Sequence, residues 1–119
     1  MKVWVDDQRP APEGGVQCWN IREAEQFIEE NKGSITHIAF DYYLSEDNRY
    51  HTGLLLIQHL WYKNGRKVFS QPKENYTFHS SDDYMNSTMM DFLYSRLEPN
   101  TDKPKKSMLE KLRSSKGRR

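Results

Sequence analysis

The chain has 119 residues, of which 35% are hydrophobic and 29% charged, with a formal net charge of +1 at pH 7. This length predicts one domain and excludes two. The low hydrophobic share alone would indicate disorder, but three Trp, seven Tyr and five Phe supply bulky side chains for a core. No apolar run reaches the ~20 residues that span a bilayer, and no signal-peptide pattern opens the chain. Because Cys18 is the single cysteine, we expect no internal disulfide, no cysteine-based metal site and a cytoplasmic location.

Charge is unevenly distributed along the chain. Residues 100–119 contain eight basic and two acidic residues, a net charge of +6, and residues 1–99 carry −5. We therefore predict a folded domain over residues 1–99 and a basic, flexible C-terminal tail over residues 100–119. Two interpretations of the tail stay open, namely contact with nucleic acid or an acidic protein surface, and a solvated terminus.

The first third of the chain predicts two strands and a helix. In "MKVWVDDQRPAPEG" apolar residues alternate along a short strand that ends at Asp6 and Asp7, just before a Pro-rich turn. The stretch "GVQCWN" predicts a second short strand. Asn20 is the predicted N-cap of a helix over "IREAEQFIEENKG", whose end we place at Gly33.

The remaining elements alternate in the same way. "SITHIAFDYYL" contains "HIAF", a continuous apolar run typical of a strand buried on both faces. "TGLLLIQHLWYKNGR" predicts an apolar helix that Asn64 and Gly65 end. "ENYTFHSS" predicts a fourth strand, and "SDDYMNSTMMDFLYSRLE" predicts a last helix capped by Ser81 or Asp82. Strands that alternate with helices favour an α/β fold with a mainly parallel sheet.

Polar residues follow three of the predicted strands. The carboxyl ends of parallel strands meet at one edge of a sheet, so we expect Asp6, Asp7 and Asp41 to converge there with His79 and Ser80. Mg²⁺ suits such a group, because it prefers oxygen ligands and commonly binds carboxylates together with a substrate phosphate. The Ser80 hydroxyl is then a candidate ligand of a phosphoryl oxygen, and His79 is a candidate for proton transfer.

The same residues have a purely structural interpretation. Asp6 or Asp7 would cap the following turn, Asp41 would accept hydrogen bonds from loop amides, and His79 would be a buried imidazole with its hydrogen bonds satisfied. From spacing alone the two interpretations stay open.

Five stretches together resemble one protein family. They are "VDDQRP", "EAEQFIEE", "ITHIAFDYYL", "TGLLLIQHL" and "YTFHSSDDYM". The set resembles the cyclic-phosphate processing receiver family, a compact offshoot of the response-regulator receiver fold that is frequent in phages and bacteria. The resemblance runs from Met1 to about Leu97. It implies a small three-layer receiver-like (flavodoxin-like) α/β fold with about four parallel strands in the order 2-1-3-4, truncated relative to a full receiver.

The resemblance also implies roles for particular residues. Asp6, Asp7 and Asp41 take the positions at which receivers bind Mg²⁺, and Mn²⁺ would serve equally. Asp41 also takes the position that accepts phosphate, which makes it a candidate catalytic residue beside His79. Three further residues are assigned to phosphate binding, namely Ser80, Arg9 and Thr52. The Pro-rich turn replaces the first helix of a normal receiver.

The chain departs from the family pattern after the third strand. The family usually reads Leu-Asp-His-Asp-Leu-Gly, whereas "FDYYLS" here places Tyr42 and Tyr43 where a histidine and an acid are usual. Asp82 or Asp83 is a candidate substitute for the lost acid. No fifth strand with the receiver lysine is evident, so we expect no conventional phosphorelay. The loop "SEDNRYH" is either a lid, with Arg49 available for a phosphate, or a solvated loop.

Two functions remain in view at this point. The first is a metal-dependent protein that binds or processes a cyclic or terminal phosphate of a nucleotide or RNA end, as a phosphoesterase if it turns over. The second is a catalytically degraded, phage-encoded module that binds a host protein or nucleic acid through its surface and residues 100–119, in the host cytoplasm.

Overall fold

The computed structural model describes residues 1–44 and 52–97. Their strands are β1 Lys2–Val5, β2 Gly15–Cys18, β3 His37–Phe40 and β4 Tyr76–Phe78. Their helices are α1 Ile21–Glu30, α2 Gly53–Asn64 and α3 Asp83–Leu97, with short 3-10 turns at Gly65–Lys67 and Lys73–Asn75. The chain therefore alternates strands and helices as the sequence predicts.

All four strands are parallel and lie in the order β2-β1-β3-β4. In this register Trp4 of β1 lies opposite Ala39 of β3, and Ala39 lies opposite Thr77 of β4. The predicted receiver-like α/β fold and its strand order are confirmed. Because every strand points the same way, the residues that follow β1, β3 and β4 lie at one edge of the sheet.

The hydrophobic core lies between one face of the sheet and the three helices. Alternate strand residues such as Val5 and Phe40 point into it, and they meet buried residues of each helix, including Ile28, Leu56 and Met89. Within the described residues α1 packs on α2 and α2 packs on α3. The described residues therefore supply two layers, a sheet and a row of helices on one face.

Three helix boundaries follow the sequence signals. The Asn20 side chain accepts a hydrogen bond from an α1 backbone amide, as predicted for an N-cap. Gly65 ends α2 with a positive φ of 56°, a conformation that glycine adopts without strain. Of the two predicted caps of α3, Asp82 accepts hydrogen bonds from the amides of the first turn.

The end of α1 differs from the sequence prediction. The helix ends at Glu30, and Asn31 is its C-cap, before the predicted stop at Gly33. The backbone amide and the side-chain amide of Asn31 both donate to the Phe27 carbonyl. These local hydrogen bonds close the last turn before the glycine is reached.

Two predictions from the sequence lie outside the described residues. They concern the loop "SEDNRYH" with Arg49, and the basic tail over residues 100–119. Within residues 1–44 and 52–97, no helix combines the length and the apolar character that a membrane span requires.

Candidate metal centre

Three aspartates meet at the carboxyl edge of the sheet. Asp6 and Asp7 follow β1, and Asp41 follows the neighbouring β3, where its amide donates to the Val5 carbonyl at 3.0 Å. One carboxylate oxygen from each aspartate lies within 4.8 Å of the others. Opposite oxygen ligands of an octahedral Mg²⁺ are about 4.2 Å apart, so small movements of these side chains would bring the three oxygens to the ligand spacing of such a cation.

Asp6 is fully buried, and its two carboxylate oxygens have different surroundings. Oδ1 accepts hydrogen bonds from the backbone amides of Gln8 at 2.9 Å and Arg9 at 3.0 Å. Its backbone is also fixed, because its amide donates to the Cys18 carbonyl and its carbonyl accepts from Gln17 Nε2. Oδ2 is buried and has no hydrogen-bond partner. Asp6 therefore caps the turn with one oxygen, and its other oxygen is buried without the hydrogen bond that such an atom normally has.

Asp41 is a half-buried carboxylate in an acidic neighbourhood. Its Oδ1 accepts a hydrogen bond from the Tyr42 amide at 2.8 Å. Burial, followed by the negative charge of Asp6, raises the pKa of Asp41 to about 6. A cation among these carboxylates would stabilise the charged form that burial and Asp6 disfavour.

His79 lies beside Asp6 and is held from three sides. Its amide donates to the Phe40 carbonyl at 2.9 Å, and its ring stacks on Trp4 with a centroid separation of 4.0 Å and an interplanar angle of 8°. Its Nδ1 is 3.5 Å from Asp6 Oδ2, longer than an ordinary hydrogen bond. Both ring nitrogens are buried and have no hydrogen-bond partner. The ring nitrogens are buried, as the structural interpretation of His79 expects, but they lack the hydrogen bonds that this interpretation also expects.

Opposing influences act on the pKa of His79, and burial and the Asp6 charge are the two largest. Burial lowers the pKa of the imidazole from 6.5, and the Asp6 carboxylate opposes that shift. The lowered pKa favours a neutral imidazole at pH 7. A neutral ring has one nitrogen that donates and one that accepts.

Arg9 contributes a positive charge to the same edge. Its backbone amide donates to Asp6, its carbonyl accepts from Trp4 Nε1 at 3.2 Å, and the residue is exposed. Its positive charge lowers the pKa of both Asp41 and His79. The exposed Arg9 therefore adds positive charge close to the acidic group.

Thr52 and Gly53 fix the start of α2 against β3. Thr52 is buried, and its Oγ1 accepts from the Leu55 amide at 3.1 Å as an N-cap. The Gly53 amide donates to the Tyr42 carbonyl, and a Cβ at this glycine would lie 2.2 Å from the Asp41 carbonyl oxygen. Thr52 therefore caps α2, and the absence of a side chain at Gly53 allows the helix to approach Asp41.

Ser80 is held by the first turn of α3. Its hydroxyl accepts from the Asp82 amide at 3.2 Å, and the side chain of Asn86 bonds both its amide and its carbonyl. Ser80 is buried with 6% exposure. One carboxylate oxygen of Asp82 accepts the hydrogen bonds that cap α3. Among the described residues, the group of potential metal ligands contains only the three aspartates Asp6, Asp7 and Asp41.

The two tyrosines after Asp41 are partly buried. Their rings meet edge to face with centroids 4.8 Å apart, and Tyr42 packs against the core. Burial and the neighbouring Asp82 carboxylate raise the pKa of the Tyr43 hydroxyl. Neither ring therefore supplies the acid or the imidazole that the family pattern usually has here.

Three residues that support the site were not among the sequence predictions. Trp4 stacks on His79, Gln17 holds the Asp6 carbonyl, and Asn86 brackets Ser80. The sequence did contain a pattern that could have singled out Trp4, because this large aromatic residue occupies the strand position between the two core valines, on the opposite face of the strand. No such pattern marks Gln17 and Asn86, since their partners lie 11 and 6 residues away, beyond the spacing of local caps and turns.

The fold and the site together define a receiver-like domain with an acidic edge. A family model described as "Cyclic-phosphate processing Receiver domain" matches residues 1–95. The match covers most of the chain and ends within α3, and the chain belongs to the cyclic-phosphate processing receiver family. No curated protein and no solved structure matches the chain.

Proposed function

We propose that this protein binds a divalent cation, Mg²⁺ or Mn²⁺, through Asp6, Asp7 and Asp41, and that the loaded site binds a cyclic or terminal phosphate of a nucleotide or RNA end. The observation that carries the proposal is the Asp6 carboxylate: its Oδ2 is buried without a hydrogen-bond partner, and one of its two oxygens lies within 4.8 Å of oxygens from two further aspartates. A buried carboxylate oxygen is costly without a partner, and a cation removes that cost.

The residues present fit the ion and the phosphate in different ways. The bound cation would polarise a phosphoryl oxygen and neutralise its charge. Arg9 adds positive charge close to the acidic group, and this charge attracts the phosphate. Ser80 is held by Asn86, and its hydroxyl is proposed to contact a phosphoryl oxygen. The hydroxyl of Thr52, the N-cap of α2, is proposed to contact the same phosphate.

His79 has two proposed roles that an experiment separates. As a positioning residue it orients Asp6, because its Nδ1 faces Asp6 Oδ2 and its ring is fixed by Trp4. As a general acid or base it would have to bring a ring nitrogen to the substrate. Burial of both nitrogens favours the positioning role.

The test measures binding and hydrolysis of a 2′,3′-cyclic nucleotide in Mg²⁺ and in EDTA, for the wild type and for Asp41→Asn, Ser80→Ala and His79→Ala. We expect binding that requires Mg²⁺, is lost in Asp41→Asn and weakens in Ser80→Ala. Any hydrolysis should be slow, because Tyr42 and Tyr43 replace residues usual in the family. The double variant Tyr42→His with Tyr43→Asp should raise the rate of hydrolysis by about 10²-fold, the lower limit of what general acid–base catalysis typically contributes.

The pH profile separates the roles of His79. If His79 transfers a proton directly, the pH–rate profile of the wild type shows an imidazole pKa, and this pKa is absent from the profile of His79→Ala. A positioning role weakens Mg²⁺ binding in His79→Ala and leaves the shape of the profile unchanged. Asp91→Asn, at an exposed α3 position, is the matched control. Failure of the wild type and of the Tyr42 and Tyr43 variant to bind any cyclic nucleotide or RNA end in Mg²⁺ would leave partner binding as the better function.

A further inference from the structure

A cavity of about 250 Å³ is lined by both the sheet and the turn that joins β1 to β2. Pro12 and Glu13 contribute the part of the lining that comes from the turn. Trp4, Ala39 and Thr77 pair across three neighbouring strands and form one row on the sheet face opposite the three helices. Ala39 is the smallest of the three and leaves space between its two neighbours. The cavity therefore combines a row of strand side chains with two exposed residues of the turn.

The cavity lies next to the acidic edge. Three residues of that edge stand two positions after the strand residues of the cavity, namely Asp6, Asp41 and His79, and their backbone amides continue the hydrogen-bond ladder of the sheet. Because strand side chains alternate between faces and each residue advances about 3.3 Å, the edge and the row lie on one face, about 7 Å apart. Trp4 joins the two, since it lines the cavity and His79 stacks on one face of its ring.

The size and the lining of the cavity suit one base of a nucleotide. Pockets that hold drug-sized ligands measure about 300–1,000 Å³, so a cavity of about 250 Å³ suits one part of such a ligand. Trp4 and Pro12 supply apolar rings, and bases stack readily on aromatic side chains. Glu13 and Asn75, also in the lining, carry side-chain oxygens that accept hydrogen bonds, which the amino groups of bases donate.

We propose that this cavity binds the base of the nucleotide whose phosphate binds at the acidic edge. The inference rests on the proposed function, because the phosphate at the edge brings the base to the neighbouring cavity. The ribose between a 2′,3′-cyclic phosphate and its base would lie over the step from the edge to the row of strand residues. The cavity thereby narrows the substrate class to nucleoside phosphates and disfavours phosphorylated sugars, which have no base to place there.

Titrations of the full chain in Mg²⁺ compare two ligands that differ in the base alone. They are adenosine 2′,3′-cyclic phosphate and methyl ribofuranoside 2,3-cyclic phosphate. We expect the nucleotide to bind about 10-fold more tightly, an effect within the range of base stacking on an aromatic side chain. Equal affinity for the two ligands would overturn the inference and leave the proposed function in place.

A variant that fills the cavity should remove this difference. Thr77→Leu adds apolar volume to the lining without adding an aromatic ring, at a position that is exposed on an edge strand. We expect it to weaken binding of the nucleotide to the affinity of the base-free ligand, whose own binding stays unchanged. Gln26→Leu, at an exposed position of α1, is the matched control and should preserve both affinities. Thermal unfolding reports that each variant is folded, and undiminished nucleotide binding in Thr77→Leu would contradict the inference.

Adenosine in EDTA tests the cavity without the acidic edge, because this ligand carries no phosphate and no free divalent cation is present. We expect adenosine at high concentration to shift the methyl NMR signals of Ala39 and Thr77. The signals of Ile28, in the core on the other face of the sheet, should stay unchanged. If these shifts occur and the cyclic nucleotide does not bind in Mg²⁺, the proposed phosphate function fails and the base site stands. Absence of the shifts would overturn the inference, whatever the acidic edge binds.

Discussion

At the scale of single residues, the acidic edge brings together groups that repel each other. Asp6 is buried with one unused oxygen, and Asp41 is half-buried close to it. The result is the raised pKa of Asp41, about 6, for which burial is the larger cause and the Asp6 charge the next. Charges arranged in this way cost stability in the folded protein unless a cation compensates them.

The raised pKa of Asp41 predicts a pH dependence of stability without metal. Between pH 3.8 and about 6 the unfolded chain has lost this proton while the folded protein keeps it, so the free energy of unfolding falls as pH rises. We expect the stability gained by Asp41→Asn over the wild type in EDTA to grow across this interval and to level off above it. Urea unfolding at several pH values measures the difference.

Two controls complete this pH experiment. Asp91→Asn, an exposed substitution on α3, should show no comparable growth in EDTA. Addition of Mg²⁺ should reduce the advantage of Asp41→Asn at pH 7. A difference between Asp41→Asn and the wild type that stays constant from pH 4 to pH 7 would contradict the electrostatic account of this carboxyl.

At the scale of elements, caps and turns were the parts best read from sequence. Asn20, Gly65 and Asp82 each act through a bond or conformation within a few residues, and each is found where the pattern indicates. The end of α1 was misplaced because Asn31 competes with Gly33, and both residues are typical of helix ends. Thr52 was interpreted as a phosphate contact, and the close fit of its neighbour Gly53 against Asp41 required the tertiary structure.

Gly53→Ala tests the junction between α2 and β3. The added Cβ would lie 2.2 Å from the Asp41 carbonyl oxygen and 2.8 Å from Met89 Sδ. The carbonyl belongs to the backbone, so it cannot rotate away as the end of a flexible side chain could. We expect a loss of about 1–3 kcal/mol in the free energy of unfolding and weaker Mg²⁺ binding, since Asp41 must shift. Urea denaturation and a metal titration measure the two effects.

Gly33→Ala is the matched control for this change. A Cβ at Gly33 meets nothing within 4 Å, and its φ is not positive. The variant should keep or gain stability by restricting the unfolded chain. Equal stability of Gly53→Ala and the wild type would show that α2 moves away from Asp41 without cost.

At the scale of the whole molecule, alternation of elements was enough to predict the sheet. Parallel strands with short crossovers permit few arrangements, and the resemblance selected the order that the structure shows. The convergence of Asp6, Asp7 and Asp41 followed from the same reasoning, because strand ends define one edge. The contacts of Trp4 with His79 were not predictable, since they depend on side-chain positions across three strands.

The central claim is that the aspartates bind a divalent cation, and thermal unfolding with and without Mg²⁺ tests it most directly. At a free Mg²⁺ concentration about 100 times the dissociation constant, linkage adds about 2.7 kcal/mol, or about 10 °C in melting temperature. We expect this shift in the wild type and in Asp91→Asn, and its loss in Asp41→Asn. Identical melting of the wild type in saturating Mg²⁺, in Mn²⁺ and in EDTA would contradict the claim.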